Sequence, residues 1–307
     1  MEASVTLKNV SKHFKKKYAL SNLTLGIEKG STFAVIGKSG AGKSTLLRVL
    51  ATLLEPDHGT VYINGKSTAE FRMLSNRALG YLPDHDMHDP WKTGLENLQV
   101  RARFLGIDEQ KIESVLQPLI EKFNLTEEIH DFPVTYSRGL KRCLDIVQVL
   151  MGDPEILLLD EPTLGLDYTS RNALYSYLHE VKGRKTIAIA SNIFTELQLL
   201  ADRWVVLHLG QIRFDGAMEK LISQINVPFV GVIEFRQENR AAIDALKRGK
   251  SVVKIIEFGK SVQIITESFD AFYQNVKKID PEEIVSLSGS SLNIDNFLDQ
   301  LLSDEGF

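Results

Sequence analysis

Apolar and polar residues alternate through the N-terminal segment: Val5, Leu7 and Val10, then Tyr18–Leu20, then Leu23, Leu25 and Ile27. Period two with polar neighbours predicts antiparallel strands with one solvated face. Thr32–Ile36 is instead an unbroken apolar run entering a glycine cluster, and Lys43–Leu53 follows it with a helical pattern. Gly59–Gly65 (GTVYING) predicts one more strand closed by an Asn-Gly turn. From Trp91 to Val149 the period is helical, with Leu95, Leu98, Phe104, Ile112, Leu116 and Leu119 as the apolar stripe. Ile156–Leu159, Thr186–Ala190 and Val205–Leu209 are short apolar runs set among helices, the pattern of buried parallel strands.

After about residue 225 the pattern changes again. Phe229–Phe235, Val252–Glu257, Val262–Thr266 and Ile284–Leu287 read as strands. Ala241–Lys247, Phe269–Lys277 and Ile294–Leu302 read as helices, with Gly249 ending the first. A Phe-Gly-Lys turn joins the second and third strands. The order β-α-β-β-α-β-α predicts a small α+β domain of the ferredoxin-like kind over 226–307.

Composition narrows the picture. The 307 residues allow two domains at roughly 150 residues each. With 36 Lys and Arg against 40 Asp and Glu, the net charge is −4, so no chain-wide basic field for nucleic acid exists. One cysteine excludes an internal disulfide and fits a reducing compartment. The N-terminal MEASVTLKNVSKHFKKK has no apolar signal core, and no run approaches the ~18 apolar residues of a span. The expectation is a soluble cytoplasmic chain unless a partner holds it elsewhere.

Residues 37–45 read GKSGAGKST and fit G-x-x-x-x-G-K-[ST] at Gly37, Gly42, Lys43 and Ser44, directly after an apolar strand and before a helix. In such a P-loop the glycines let backbone N–H groups turn onto phosphate oxygens. Lys43 adds a point charge toward the β- and γ-phosphates, Ser44 offers a hydroxyl to Mg²⁺, and the helix N-terminus adds a favourable dipole. Gly37, Lys38, Ser39, Gly40, Ala41, Gly42, Lys43, Ser44 and Thr45 are therefore the expected phosphate cradle. The metal's acidic partner is supplied by ILLLDE at 156–161. Asp160 is placed to hold Mg²⁺, directly or through water, and Glu161 to orient or deprotonate the attacking water.

Asp160-Glu161 continues as DEPTLGLD, and YSRGLKR stands upstream at 136–142. With the P-loop, these strings resemble the ATPase subunits of ABC transporters. YSRGL resembles the signature usually written LSGGQ. The nearer resemblance is to the exporter subfamily with YSKGM-like signatures and a C-terminal extension. It is strong over about residues 4–225 and weaker in the tail, where SLNIDNFLDQL resembles the closing helix of that extension.

The resemblance implies an α/β P-loop NTPase fold over 1–225: a RecA-like core, an antiparallel β subdomain and a helical subdomain at about 91–150. It implies two ATPase domains paired head to tail, as a homodimer, with ATP between the P-loop of one and the signature of the other. Ser137 and Gly139 then face the γ-phosphate held by the partner chain, from the head of a helix. Asp167 resembles the aspartate that crosses to the other P-loop. Phe14 resembles the aromatic that stacks on adenine, with Tyr18 as the second candidate. Separate transmembrane permease subunits are implied, with this chain peripheral at the inner face of the cell membrane, and export is the implied direction.

Three departures stand out. The signature has Arg138 for its first glycine and Leu140 for its glutamine; Arg there is familiar in the exporter subfamily. The Q-loop glutamine maps onto Asp84, whose short side chain calls for a bridging water to reach Mg²⁺ or the attacking water. The switch histidine maps onto Asn192, which can donate a hydrogen bond to a γ-phosphate but cannot carry a proton or positive charge.

Other signals have plainer readings. DHDMHD at 84–89 has metal-suited residue types (Asp84, His85, Asp86, His88, Asp89) but reads as a loop of solvated charges. Lys15-Lys16-Lys17 reads as a solvated hairpin and Cys143 as a small buried hydrophobe. Two competing readings are a soluble ABC ATPase acting on ribosomes or DNA, and an ATP-dependent regulatory module that barely hydrolyses. The single P-loop, the lack of a coiled coil between 45 and 136, and the acid pair Asp160-Glu161 weigh against them. No nucleic-acid partner is expected.

Overall fold

A computed structural model describes residues 3–15, 17–68, 70, 77–192, 197, 200–217, 220 and 229–291. The chain divides into two compact units, Met1–Ala217 and Met218–Phe307. The boundary expected at 225/226 and the helix expected at Ile294–Leu302 fall outside the described residues.

The first unit is built on two sheets. β1 (Ala3–Phe14), β2 (Lys17–Glu28), β4 (His58–Ile63) and β5 (Lys66–Ser67) form an antiparallel sheet in the order β2-β1-β4-β5. The Asn-Gly turn lies between β4 and β5, with both Asn64 (φ 47°) and Gly65 (φ 75°) in the left-handed region that such hairpins require. The second sheet has the order β10-β9-β3-β8-β7-β6. Its strands are β3 (Thr32–Ile36), β6 (Leu79–Leu82), β7 (Ile156–Asp160), β8 (Thr186–Ser191), β9 (Arg203–His208) and β10 (Gln211–Gly216). Five run parallel; β10 pairs antiparallel with β9 at one edge. The apolar runs at 32–36, 156–160 and 186–191 are buried at every position, as parallel strands covered on both faces must be.

Helix α1 (Lys43–Leu50) follows β3. Its Leu46, Leu47, Val49 and Leu50 share one buried cluster with Leu7, Leu20 and Ile63 of the antiparallel sheet and Val35, Leu158, Ala188 and Val205 of the parallel one. The helix ends three residues before the expected Leu53, because Thr52 takes a left-handed φ of 60°.

The helical subdomain contains α2 (Gly94–Phe104), α3 (Ile112–Lys122) and α4 (Arg138–Leu150), each touching the other two. A reciprocal capping box, Thr93 with Glu96, starts α2. Leu98, Ile112 and Leu116 are buried as the stripe predicted, together with Ala102 and Ile120. Phe104 departs from it: the ring is 64% exposed and lies beside the Arg101 guanidinium. Helix α5 (Tyr168–Val181) connects β7 to β8.

In the second unit, β11 (Phe229–Phe235), α6 (Arg240–Lys247), β12 (Val252–Phe258), β13 (Ser261–Thr266), α7 (Phe269–Val276) and β14 (Ile284–Ser291) follow the expected order. The sheet order β12-β13-β11-β14, antiparallel throughout, is the split-βαβ ferredoxin-like topology. Ile233, Phe235, Val262 and Ile264 pack against Ile243, Leu246, Phe272 and Val276 of the helices. Gly231 makes that packing possible, since a Cβ there would lie 1.8 Å from the Phe272 ring.

Candidate active site

The chemistry sits at the carboxyl ends of β3, β8, β7 and β6, where parallel sheets place their ligand crevice. The P-loop leaves β3 and enters α1. Lys43 heads the helix, only 6% exposed, and its ammonium donates to Gly37 O at 2.7 Å and to Asn192 Oδ1 at 2.6 Å. Burial lowers the Lys43 pKa, while Glu161 and Asp160 act to hold the proton on. Gly42 caps α1 with φ 111°, and a Cβ on it would lie 2.3 Å from the Ala19 carbonyl oxygen. Only glycine fits that close crossing of the P-loop under β2.

β7 ends at Asp160, which is fully buried. Neither of its carboxylate oxygens meets a hydrogen-bond donor of full geometry. Burial raises its pKa, partly opposed by the nearby Ser44 hydroxyl. An orphaned carboxylate beside a hydroxyl is the donor set of a hard divalent cation, so these residues fit Mg²⁺. Glu161 follows in left-handed backbone, φ 45°, with its N–H bonded to Ala190 O at 2.8 Å. That turn aims its carboxylate back over the strand ends, where Oε2 accepts from the Asn192 N–H at 3.3 Å. Burial raises the Glu161 pKa, opposed by the Asn192 hydrogen bond and by Lys43.

A cavity of about 220 Å³ gathers these groups: Ser39, Gly40, Gly42, Lys43, Ser44 and Thr45 with Asp84, Glu161 and Asn192, closed by Ala19. Residues far apart in sequence thus meet around one phosphate-sized space. Asp84, just beyond β6, accepts from His85 Nδ1 at 3.1 Å and from Arg48 Nη2 at 3.5 Å. Burial acts to raise its pKa, but those two partners outweigh it and the net shift is downward.

The remaining candidates lie outside this cavity. Ser137 caps α4, accepting from Leu140 N at 3.2 Å, and Gly139 packs against the Gly165–Asp167 backbone. Asp167 caps α5 through Ser170 N at 2.8 Å and is exposed. Phe14 ends β1 at 50% exposure with Lys12 over its ring; Tyr18 is equally open, beside His13. Lys38 is exposed and Ala41 buried, and neither lines the cavity.

Two expectations need correction or extension. The 84–89 stretch is not a loop of solvated charges throughout. His88 is 4% exposed in its side chain and its Nδ1 lies 3.0 Å from Oδ1 of the fully buried Asp145 on α4. This hydrogen bond raises the His88 pKa despite burial. Arg142, one turn earlier on α4, is also buried and was not among the expected site residues: its guanidinium donates to the carbonyls of Pro83, Asp160 and Glu161. The available signal was an Arg142/Asp145 pair at i,i+3 interleaved with the apolar Cys143, Leu144, Ile146 and Val147. Cys143 is buried as expected, which pushes its thiol up to about 11.

A P-loop cavity with a buried metal-suited aspartate, a following glutamate and a separate capped signature helix defines an ATP-hydrolysing cassette. Residues 20–164 match the ABC transporter family. The chain is 34% identical over 224 residues to the ABC transporter ATP-binding protein NatA of Bacillus subtilis, covering 71% of this chain and 91% of NatA. It is 33% identical over 221 residues to Nod factor export ATP-binding protein I of Burkholderia lata, covering 72% and 73%. Among solved structures, an ATP-binding subunit of an ABC transporter superposes with TM-score 0.67 at 29% identity, over 72% of this chain and 92% of that one. A dimeric ATP-binding cassette in a post-hydrolysis state with ADP and Pi superposes with TM-score 0.63 at 25% identity, over 70% and 98%. The chain belongs to the ATP-binding subunits of ABC transporters and is an ATPase. Among the described residues no helix is long and apolar enough to cross a membrane.

Proposed function

We propose that two copies of this chain pair head to tail around two ATP molecules and drive separate membrane permease subunits in export, at the cytoplasmic face of the membrane. The observation that carries this reading is the split of the machinery. Lys43, Ser44, Asp84, Glu161 and Asn192 share one cavity, whereas Ser137 and Gly139, at the helix end suited to a phosphate, lie outside it. A second copy supplies them across the nucleotide. The dimeric post-hydrolysis cassette and the export protein among the relatives support the pairing and the direction.

In this reading the P-loop backbone and Lys43 bind the β- and γ-phosphates. Ser44 and Asp160 are the residues that would hold Mg²⁺, which would neutralise phosphate charge. Glu161, its proton affinity raised by burial, takes the proton of the attacking water. Asp84 lines the same cavity and would reach the attacking water or the metal through a bridging water. Phe14 or Tyr18 stacks on the adenine, and Asp167 serves the neighbouring P-loop. Binding closes the dimer, and hydrolysis reopens it, moving the helical subdomain against the permease.

Isolation of the tagged chain in mild detergent, followed by mass spectrometry, tests the assembly. A multi-spanning membrane protein in near-equal amount is the expected companion. Ribosomal proteins or nucleic acid with no membrane chain would refute the reading. Asn192 gives a second test. Its amide positions Lys43 and its N–H holds Glu161, but it cannot carry charge to the γ-phosphate. The Asn192→His variant should therefore turn over ATP several-fold faster in a steady-state phosphate-release assay; an unchanged or lower rate contradicts the assignment.

A further inference from the structure

We propose that Arg142 is a positioning residue for hydrolysis: one buried guanidinium ties the signature helix to the backbone that carries both Glu161 and Asp84. The inference rests on the roles proposed above for those two carboxylates.

Arg142 lies on the second turn of α4 and is 6% exposed. Its Nη2 donates to Asp160 O at 2.7 Å and Glu161 O at 2.9 Å, its Nη1 to Pro83 O at 2.5 Å, and its Nε to Pro162 O at 3.3 Å. A guanidinium has five donors in a fixed plane. Four carbonyls from two separate strand ends fill that plane, so their mutual placement is set by one rigid group. Pro83 directly precedes Asp84 after β6. Asp160–Pro162 is the turn that throws Glu161 into left-handed backbone. Such a conformation persists only where its surroundings over-determine it, and Arg142 supplies two of those constraints at the Asp160 and Glu161 carbonyls.

One turn further along the same face, Asp145 fastens the other side of the Asp84 stretch. Its carboxylate accepts from Met87 N at 3.2 Å and pairs with His88 Nδ1 at 3.0 Å. Asp84, His85 and Asp86 therefore span two anchor points on α4. A shift of the signature helix, whose head bears Ser137 and Gly139, moves the backbone of both carboxylates with it. Lysine in place of Arg142 keeps the charge but has no planar fork and cannot meet four carbonyls at once.

The test uses full-length protein with Mg-ATP as substrate and ADP as binding probe. Arg142→Met keeps the aliphatic stem and removes the fork. Turnover should fall about tenfold or more, with KM and ADP affinity changed less than about twofold, because an interaction felt only in the reacting geometry has been lost. Arg142→Lys should recover part of kcat. If Arg142→Met fails to fold, Arg142→Lys carries the same comparison, with reduced kcat at unchanged ADP affinity expected. A merely structural arginine would instead lower kcat and the number of ADP sites in proportion. That result, or wild-type kcat in either folded variant, overturns the proposal. Glu161→Gln measured alongside separates this inference from its foundation. Full turnover in Glu161→Gln refutes the site reading and this role with it. Lost turnover there with full turnover in Arg142→Met refutes the positioning role alone.

Discussion

Glu161→Gln lowers ATP turnover by roughly 10²–10⁴-fold while nucleotide binding survives. The carboxylate stands where the chain turns sharply at φ 45°, and its Oε2 accepts from the Asn192 backbone N–H. Glutamine has the same shape and can still accept that hydrogen bond, so the turn and the cavity persist. What it lacks is basicity. Burial raises the proton affinity of Glu161, although the Asn192 hydrogen bond and Lys43 oppose the shift. An amide oxygen takes no proton from water at neutral pH, so the loss falls on kcat alone. Phosphate-release kinetics and an ATP titration of the same preparation check both halves. A variant that keeps more than about a tenth of wild-type kcat, outside the range for a general base, places the base elsewhere.

Lys43→Ala weakens Mg-ATP binding by about 2–3 kcal/mol, which is roughly 30–150-fold in Kd. The ammonium is buried at the head of α1, and Glu161 and Asp160 help keep it charged there. Its hydrogen bonds to Gly37 O and Asn192 Oδ1 shape the loop before any phosphate enters. Alanine removes the point charge toward the phosphates and strands both acceptors. Arginine does not restore it, because a planar fork cannot occupy a space made for a compact ammonium under the loop. Calorimetric titration with Mg-ATP measures the loss, and a melting curve on the same sample shows that the domain is folded. Unchanged affinity in a folded Lys43→Ala would sink the reading of the cavity as a phosphate site.

What could be read from the chain divides by the range of the interaction. The P-loop, the Asp160-Glu161 step and the Asn64-Gly65 turn were legible because their residue types stand at fixed short spacings in sequence, although distant groups such as Ala190 and Arg142 help hold the Glu161 backbone. The ferredoxin-like order of the second unit was legible too, since its two central strands, β11 and β13, alternate cleanly and its helices have distinct faces. Phe104 was misread because a helical period shows that a face exists, not how far a neighbouring element covers it. The early end of α1 at Leu50 comes from the left-handed Thr52, a residue type that carries no sign of that conformation. His88 was read as a solvated charge and Arg142 was passed over for another reason. Their partners stand 57 and 59 positions away, at Asp145 and Pro83, and only the folded sheet brings β6 beside the signature helix. Such polar contacts leave at most an oddity, a charged pair interleaved with apolar residues.

The buried carboxylate of Asp160 couples the stability of the fold to what binds beside it. A buried acid with little beyond the Ser44 hydroxyl near it is a standing cost to the folded state. Nucleotide and its metal bind the native chain and not the unfolded one, so they relieve that cost by mass action. Ligand at a hundredfold excess over its Kd adds about 2.7 kcal/mol to the folding equilibrium. Folding is thereby linked to ligand: the melting temperature of the chain should rise with the concentration of Mg-ATP.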